Sequence, residues 1–266
     1  MRYINYKKCA IWNGSPHSED KMNCQRADDL LKDLNVFMLR NVYNFDIQKE
    51  TGFWYIIKDH FGGMEELSSK TRNQIRRSFN RLEIRKITSE LLVEEGYEVY
   101  CSAYESYNDH TMWHLPTKEE YVANIRNHSN RDYWGCIDRE NNKLIAYAIN
   151  IIHEDMCEYA SMKAIPSYLT GYYPYYGLLY MMNEYYLVNQ NLKYVSDGAR
   201  TLTEHSNIQE FLCNKFKFRK AYCEMKIYYI WWLKLSVNLL FPFQNYIPIK
   251  VIKNVLKQES MARNKY

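Results

Sequence analysis

The sequence has no CxxC pair and no paired cysteine–histidine spacing, which removes a zinc site from the expected chemistry. Its seven cysteines (Cys9, Cys24, Cys101, Cys136, Cys157, Cys213 and Cys223) are odd in number and scattered, so they do not form a disulfide framework. They read as reduced, mostly buried thiols of a cytoplasmic protein. The opening stretch MRYINYKKCAIWNGSPHSED lacks the apolar segment of a secretory signal. No run has the length of a clean membrane span; the nearest, IYYIWWLKLSVNLLFPF, is interrupted by Lys234 and stopped by Pro242. That run reads as a buried strand followed by a packed helix. An interfacial helix using Trp231 and Trp232 is the second reading. No internal repeat of roughly 20–50 residues is present, so a solenoid is excluded.

What is present is an ordinary globular composition, with 47% apolar and 25% charged residues in 266. That length buries a sizeable core as one large domain or two small ones. The net charge of +4 permits an anionic partner but does not mark a nucleic-acid binder, and no DNA partner is expected. Tyrosine is over-represented, at 26 residues, and glycine is scarce, at nine.

Along the chain, VFMLRNVYNF and GFWYIIKDHF have strand character, with DIQKETG as the connection between them. Ser68 or Ser69 then caps a helix carrying Ile75, Phe79 and Leu82. Lys70, Arg72, Arg76, Arg77 and Arg81 fill much of its remaining surface. LEIRKI reads as a strand. SELLVEEGYEVYCSAYESYND and TKEEYVANIRNHSN read as helices, the second opened by the capping box Thr117/Glu120. DYWGCID and KLIAYAINII are strands joined by the turn RENN, and MCEYASMKAI is a third. Its alternation sets Met156, Glu158, Ala160, Met162 and Ala164 on one side.

The next segment, IPSYLTGYYPYYGLLYMMNEYY, breaks at Gly171. Pro174 fits the first turn of a helix, and Gly177 permits close backbone approach. That helix ends near Asn191. LKYVSDG is a short strand, EHSNIQEFLCNKF a helix, and KFRKAYCEMKIYYIWW one or two final strands.

This order, β–β–β–α–β–α–β preceded by helices, resembles the GNAT fold of acyltransferases. LSSKTRNQIRRSFNRL, NNKLIAYAINI, LTGYYPYYGLLYMMNEYYLVNQNLKYVSDGA and FLCNKFKFRKAY follow the order of its FemAB-like branch, which is related to the peptidoglycan-bridge aminoacyltransferases. The resemblance covers roughly Phe53 to Tyr229. It implies an α/β (α+β) architecture with a mixed, mainly antiparallel sheet flanked by helices. Residues 1–60 would be an N-terminal extension or degenerate half-GNAT, 61–229 the acyltransferase domain, and 230–266 an apolar and basic helical tail.

The resemblance also implies that the tyrosine-rich junction faces an acyl donor, so that Ile165, Gly171, Tyr172, Tyr175, Tyr176 and Gly177 line its site. Unpaired N–H groups at a helix N-terminus suit a pyrophosphate. The junction departs from the usual Gln/Arg-x-x-Gly-x-Gly/Ala loop by placing bulky tyrosines between its glycines. Many members carry a tyrosine general acid on the last helix; here that position is Cys213. Lys217 stands where many members have glycine.

Acyl transfer to an amine needs a base for the ammonium proton and a donor for the oxyanion. Two carboxylates are candidates for the base. Glu158 lies on an otherwise apolar strand side, where burial would raise its pKa. Asp197 ends its strand beside Gly198. Arg200, His205 and Asn207 follow, and Arg200 and Asn207 are candidates for holding substrate. On the basic helix Arg72 and Arg76 are one turn apart and suit phosphate groups.

The expected activity is N-acyl or N-aminoacyl transfer to a small-molecule or peptide amine. The donor is an acyl-CoA, an acyl-carrier protein or an aminoacyl-tRNA, with no permanently bound cofactor and no metal. Two alternatives stay open. One is a binding module that keeps the fold without catalysis. The other is a membrane-surface protein of envelope polysaccharide or lipid assembly, using residues 227–257 as a peripheral contact from the cytoplasmic side.

Overall fold

The computed structural model describes residues 2–106, 115–126, 128–200 and 207–264. In chain order the elements begin with β1 (Tyr3–Tyr6), β2 (Cys9–Trp12), α1 (Cys24–Asp33), β3 (Met38–Ile47) and β4 (Phe53–Lys58). There follow α2 (Ser69–Arg81), β5 (Leu82–Ile87), α3 (Ser89–Glu105), α4 (Lys118–Arg126), β6 (Arg131–Asp138), β7 (Leu144–Ile152) and β8 (Met156–Ala164). The last are α5 (Pro174–Glu184), β9 (Tyr194–Ala199), α6 (Asn207–Phe216), β10 (Arg219–Tyr229), α7 (Trp231–Leu240) and α8 (Lys250–Ala262).

The chain forms two compact units. One holds residues 1–56, 199–207 and 219–266; the other holds 57–198 and 208–218. The first unit therefore joins the N-terminal segment to β10 and the C-terminal helices.

In this first unit the strands run β1-β2-β3-β10. β1 and β2 form a hairpin whose turn residues, Lys7 and Lys8, both have positive φ. β2 lies parallel to β3, and β3 is antiparallel to β10. α1 closes one core over Leu30, Leu31, Val36, Leu39 and Tyr228. Glu19 is buried there: Oε1 accepts from the Tyr3 hydroxyl at 2.6 Å, Asn41 Nδ2 at 3.0 Å and the Val42 N–H at 2.9 Å.

In the second unit the strand order is β9-β8-β7-β6-β5. β5 to β8 are successively antiparallel, and β8 pairs with β9 in parallel, so the sheet is mixed and mainly antiparallel. Alternate residues of β6 serve opposite faces. Tyr133 and Ile137 enter a core with Leu92, Val99, Tyr121 and Ile125 of α3 and α4. Trp134 instead faces the α5 side, its Nε1–H donating to the Tyr186 hydroxyl at 3.0 Å. Tyr186 belongs to a π-helical turn, Tyr185–Asn189, that continues α5. Its buried hydroxyl also accepts from Asn150 Nδ2 and donates to Asp132 Oδ2, which pairs with Lys86. α2 starts on a cap in which Ser68 Oγ accepts from the Thr71 N–H at 3.2 Å. It packs on α5 because Gly177 has no side chain: a Cβ there would collide with Ser78 Oγ and Ile84 Cδ1.

Candidate active site

Two parallel strands, β8 and β9, part within the second unit. β8 and β9 share a ladder at Met156–Tyr194, Cys157–Val195 and Glu158–Ser196. Past it, β8 runs on to Ala164 and β9 to Ala199. β8 bulges just beyond the fork: Tyr159 faces Asn150 and Ser161 faces Ile149, which leaves Ala160 as the extra residue. This corrects the simple alternation expected for the strand. Glu158 does not sit on a uniformly apolar side: Ala160 is exposed, and 41% of the Glu158 side chain is open to solvent.

Asp197 is the first residue of β9 beyond the ladder and is half-buried. Burial raises its carboxyl from an ordinary 3.8 to about 7; a hydrogen bond with the Gln209 side chain of α6 opposes the rise, and the Glu158 charge adds to it. Gly198 follows at φ +85°, where only glycine is comfortable, and its N–H donates to Ser196 Oγ at 3.0 Å. A Cβ at Gly198 would lie 3.8 Å from Glu158 Oε1, an ordinary contact that sets this turn near the second carboxylate. Glu158 Oε2 lies 3.7 Å from His153 Nε2. Two pairs thus stand at the fork, His153 with Glu158 and Asp197 with Gln209.

The junction after β8 lies in the same unit. Ile165 leaves the strand with its N–H donating to the Ile145 carbonyl at 2.9 Å. Gly171 and Tyr173 then take positive φ, and α5 begins at Pro174. Pro174 has no N–H, and the Tyr176 and Gly177 amides point to the Tyr173 carbonyl at 3.0 and 3.4 Å. The helix N-terminus therefore presents fewer donors than an ordinary anion-binding turn.

Positive charge comes from α2 instead. The Arg81 guanidinium lies over the Tyr172 ring at 4.8 Å and would touch a Cβ on Gly171 at 3.8 Å. Tyr172 stands edge-on to Tyr168 at 4.7 Å. The Arg139 backbone N–H donates to the Arg81 carbonyl at 3.0 Å and its side-chain Nε–H to the Phe79 carbonyl at 3.4 Å, which brings a second guanidinium to the end of α2.

Comparison with known proteins found no matching family model and no match among curated sequences. Solved structures do match. FemX aligns over 77% of this chain and 75% of its own, with a TM-score of 0.54 at 7% identity. L-PGS from Bacillus licheniformis aligns over 91% of this chain and 72% of its own, with a TM-score of 0.50 at 10% identity. The chain has a FemX-like GNAT fold.

Within the FemX-like fold, the expected site residues separate into groups. Asp197 and Glu158 both stand at the fork, each with its own partner, and Gly171 and Tyr172 lie against Arg81. Tyr176 packs edge-on to Phe211 at 5.2 Å and beside Phe216, Tyr175 is half-buried, and Gly177 serves helix packing. Cys213 is half-buried on α6. Arg72 turns back to Ser69 Oγ, and Arg76 is exposed; Arg72 begins about 13 Å along the helix axis from Arg81. Arg200 belongs to the first unit, where it lies 4.1 Å over the Trp54 ring and donates to the Gly52 carbonyl. Asn207 opens α6, and its side chain, like the whole of His205, lies outside the described residues. Lys217 has φ +60°, the left-handed backbone state that favours glycine. His153, Gln209, Arg81 and Arg139 join the candidate site from the structure. Among them only Arg81 had a sequence signal, as the last cation of the basic helix.

Proposed function

We propose that the chain is an N-acyltransferase or N-aminoacyltransferase acting on an amine, with Asp197 as the base. The observation that carries this reading is the Asp197 carboxyl at the β8/β9 fork, raised by burial to about 7. A carboxylate with that affinity accepts an ammonium proton near neutral pH and remains ionised often enough to act. The neutral amine then attacks the acyl carbonyl. The electron pair passes to the carbonyl oxygen, returns, and expels the thiolate of a thioester or the ribose oxygen of an aminoacyl ester, which takes up a proton. The extra residue of a bulge is left out of the ladder, so the Ala160 N–H is the group we assign to the oxyanion.

The donor enters along the junction, where Arg81 and Arg139 meet its phosphates and Tyr168 and Tyr172 its apolar arm. The FemX-like fold supports this reading as an acyl- or aminoacyltransferase scaffold. Donor class is tested by thermal shift with coenzyme A, acetyl-CoA, longer acyl-CoAs and aminoacyl-tRNA, since a ligand that binds only the native chain raises Tm. One class is expected to raise it, and Arg81→Gln to remove the rise. No shift with any of them would leave a fold that binds without catalysis.

A further inference from the structure

The C-terminal part of the first unit has an apolar surface that its own core does not use. α7 is apolar on two faces. Leu233, Val237 and Leu240 pack with Phe241 and Leu256. About 200° round the helix, at spacings of four, stand Trp231, Leu235 and Leu239, which are 75%, 63% and 73% exposed. Beyond α7 the exposed series continues through Phe243, Tyr246, Ile249 and Val251. Trp232 extends it sideways, edge-on to the exposed Phe37 ring at 5.8 Å. One exposed leucine is unremarkable; a run of this kind marks an interaction surface.

The segment that carries it has charges of one sign. Residues 227–258 hold Lys234, Lys250, Lys253 and Lys257 and no aspartate or glutamate. Lys8 lies 5.7 Å over the Phe37 ring at the same edge. The first carboxylate after the series, Glu259, is occupied by the Tyr229 hydroxyl and Arg263.

We infer that this face of α7 and the start of α8 docks on an anionic lipid surface. Tryptophan and tyrosine sit well at the headgroup level, with leucine and valine just below and lysines reaching the phosphates. A second copy of the chain suits the face poorly, because a two-fold contact would set these lysines against their own copies with no carboxylate to answer them. No helix among the described residues is long and apolar enough to cross a membrane, so the contact lies on the surface. This inference is independent of Asp197 and of the proposed transfer reaction.

The test is co-sedimentation of the full chain with vesicles of phosphatidylcholine, with and without phosphatidylglycerol. Binding is expected only with phosphatidylglycerol and is expected to weaken with salt. Replacing Lys234, Lys250 and Lys253 by glutamine should cost roughly fivefold each, on the order of a hundredfold together. Trp231→Gln with Leu239→Gln should abolish binding at unchanged circular dichroism, since both side chains are mostly solvent-exposed. Brominated phosphatidylcholine in the same vesicles reads the wild-type chain directly, through quenching of its tryptophan fluorescence. Absence of quenching, or equal binding to neutral vesicles, overturns the inference. So does a dimer in sedimentation equilibrium that Leu239→Gln dissociates, which would assign the face to a second copy.

Discussion

Replacing Asp197 by asparagine separates the function of this residue from its effect on stability. In the unfolded chain the carboxyl ionises near 3.8; in the fold it holds its proton to about 7, chiefly because it is buried. Below 3.8 both states are protonated and the group costs the fold nothing. As pH rises, the unfolded chain releases its proton first, so stability falls across pH 4–7 and levels off above 7. A gap of about 3 pH units at 1.36 kcal/mol each gives about 4 kcal/mol at pH 8. Allowing for solvent access to a half-buried side chain, about 2–4 kcal/mol is expected. Asparagine keeps an oxygen for Gln209 and never ionises. Asp197→Asn should therefore be inactive, equal to wild type in stability near pH 4, and more stable by that amount at pH 8. Urea titrations at a series of pH values measure this directly. A difference that does not vary with pH, or a variant less stable than wild type at pH 8, refutes the burial argument.

Three further outcomes follow from the same geometry. Arg81→Gln should weaken a phosphate-bearing donor by roughly tenfold or more, because its guanidinium lies on Tyr172 at the junction, whereas Arg76→Gln, five residues back along α2, should change affinity little; isothermal titration with the donor found by thermal shift checks the order. Gly177→Ala should destabilise the fold by about 1–3 kcal/mol through collision with Ser78 and Ile84, and Ser78→Ala should recover part of the loss in Tm. Lys217→Gly should raise stability by roughly 1 kcal/mol, because φ +60° strains any residue with a Cβ; an unchanged or lower Tm would contradict it.

Elements whose signals are local were legible in the sequence. Ser68 caps α2. The Thr117/Glu120 box closes reciprocally, with Glu120 Oε2 accepting from the Thr117 N–H at 2.9 Å and Thr117 Oγ1 from the Glu120 N–H at 3.2 Å. Pro174 opens α5, and the β6–β7 hairpin turns where RENN stands. The β1–β2 hairpin was not legible, because its turn uses two lysines where asparagine and glycine are the usual signal. Nor was the bulge at Ala160: an exposed alanine carries no mark of an interrupted ladder. IYYIWWLKLSVNLLFPF does form the expected strand and helix, yet α7 packs on one face only.

At the site, Asp197 and Glu158 stood out as carboxylates in short strands. Their partners did not. Gln209 arrives from α6, and His153 reaches Glu158 through the β7–β8 hairpin, both products of tertiary structure. The tyrosines of the junction were visible as composition, but which ring meets Arg81 and which packs on Phe211 is decided by the left-handed turn at Gly171 and Tyr173.

The most direct measurement is a transfer assay by mass spectrometry. Wild type and Asp197→Asn are each incubated with acyl-CoA or aminoacyl-tRNA and a mixture of small amines and amine-bearing peptides. The account expects an amide product from one donor class with wild type, a rate that rises with pH to a plateau with a midpoint near 7, and no product with Asp197→Asn. Amide formation at wild-type rate by Asp197→Asn, or no product from either donor class, would contradict it.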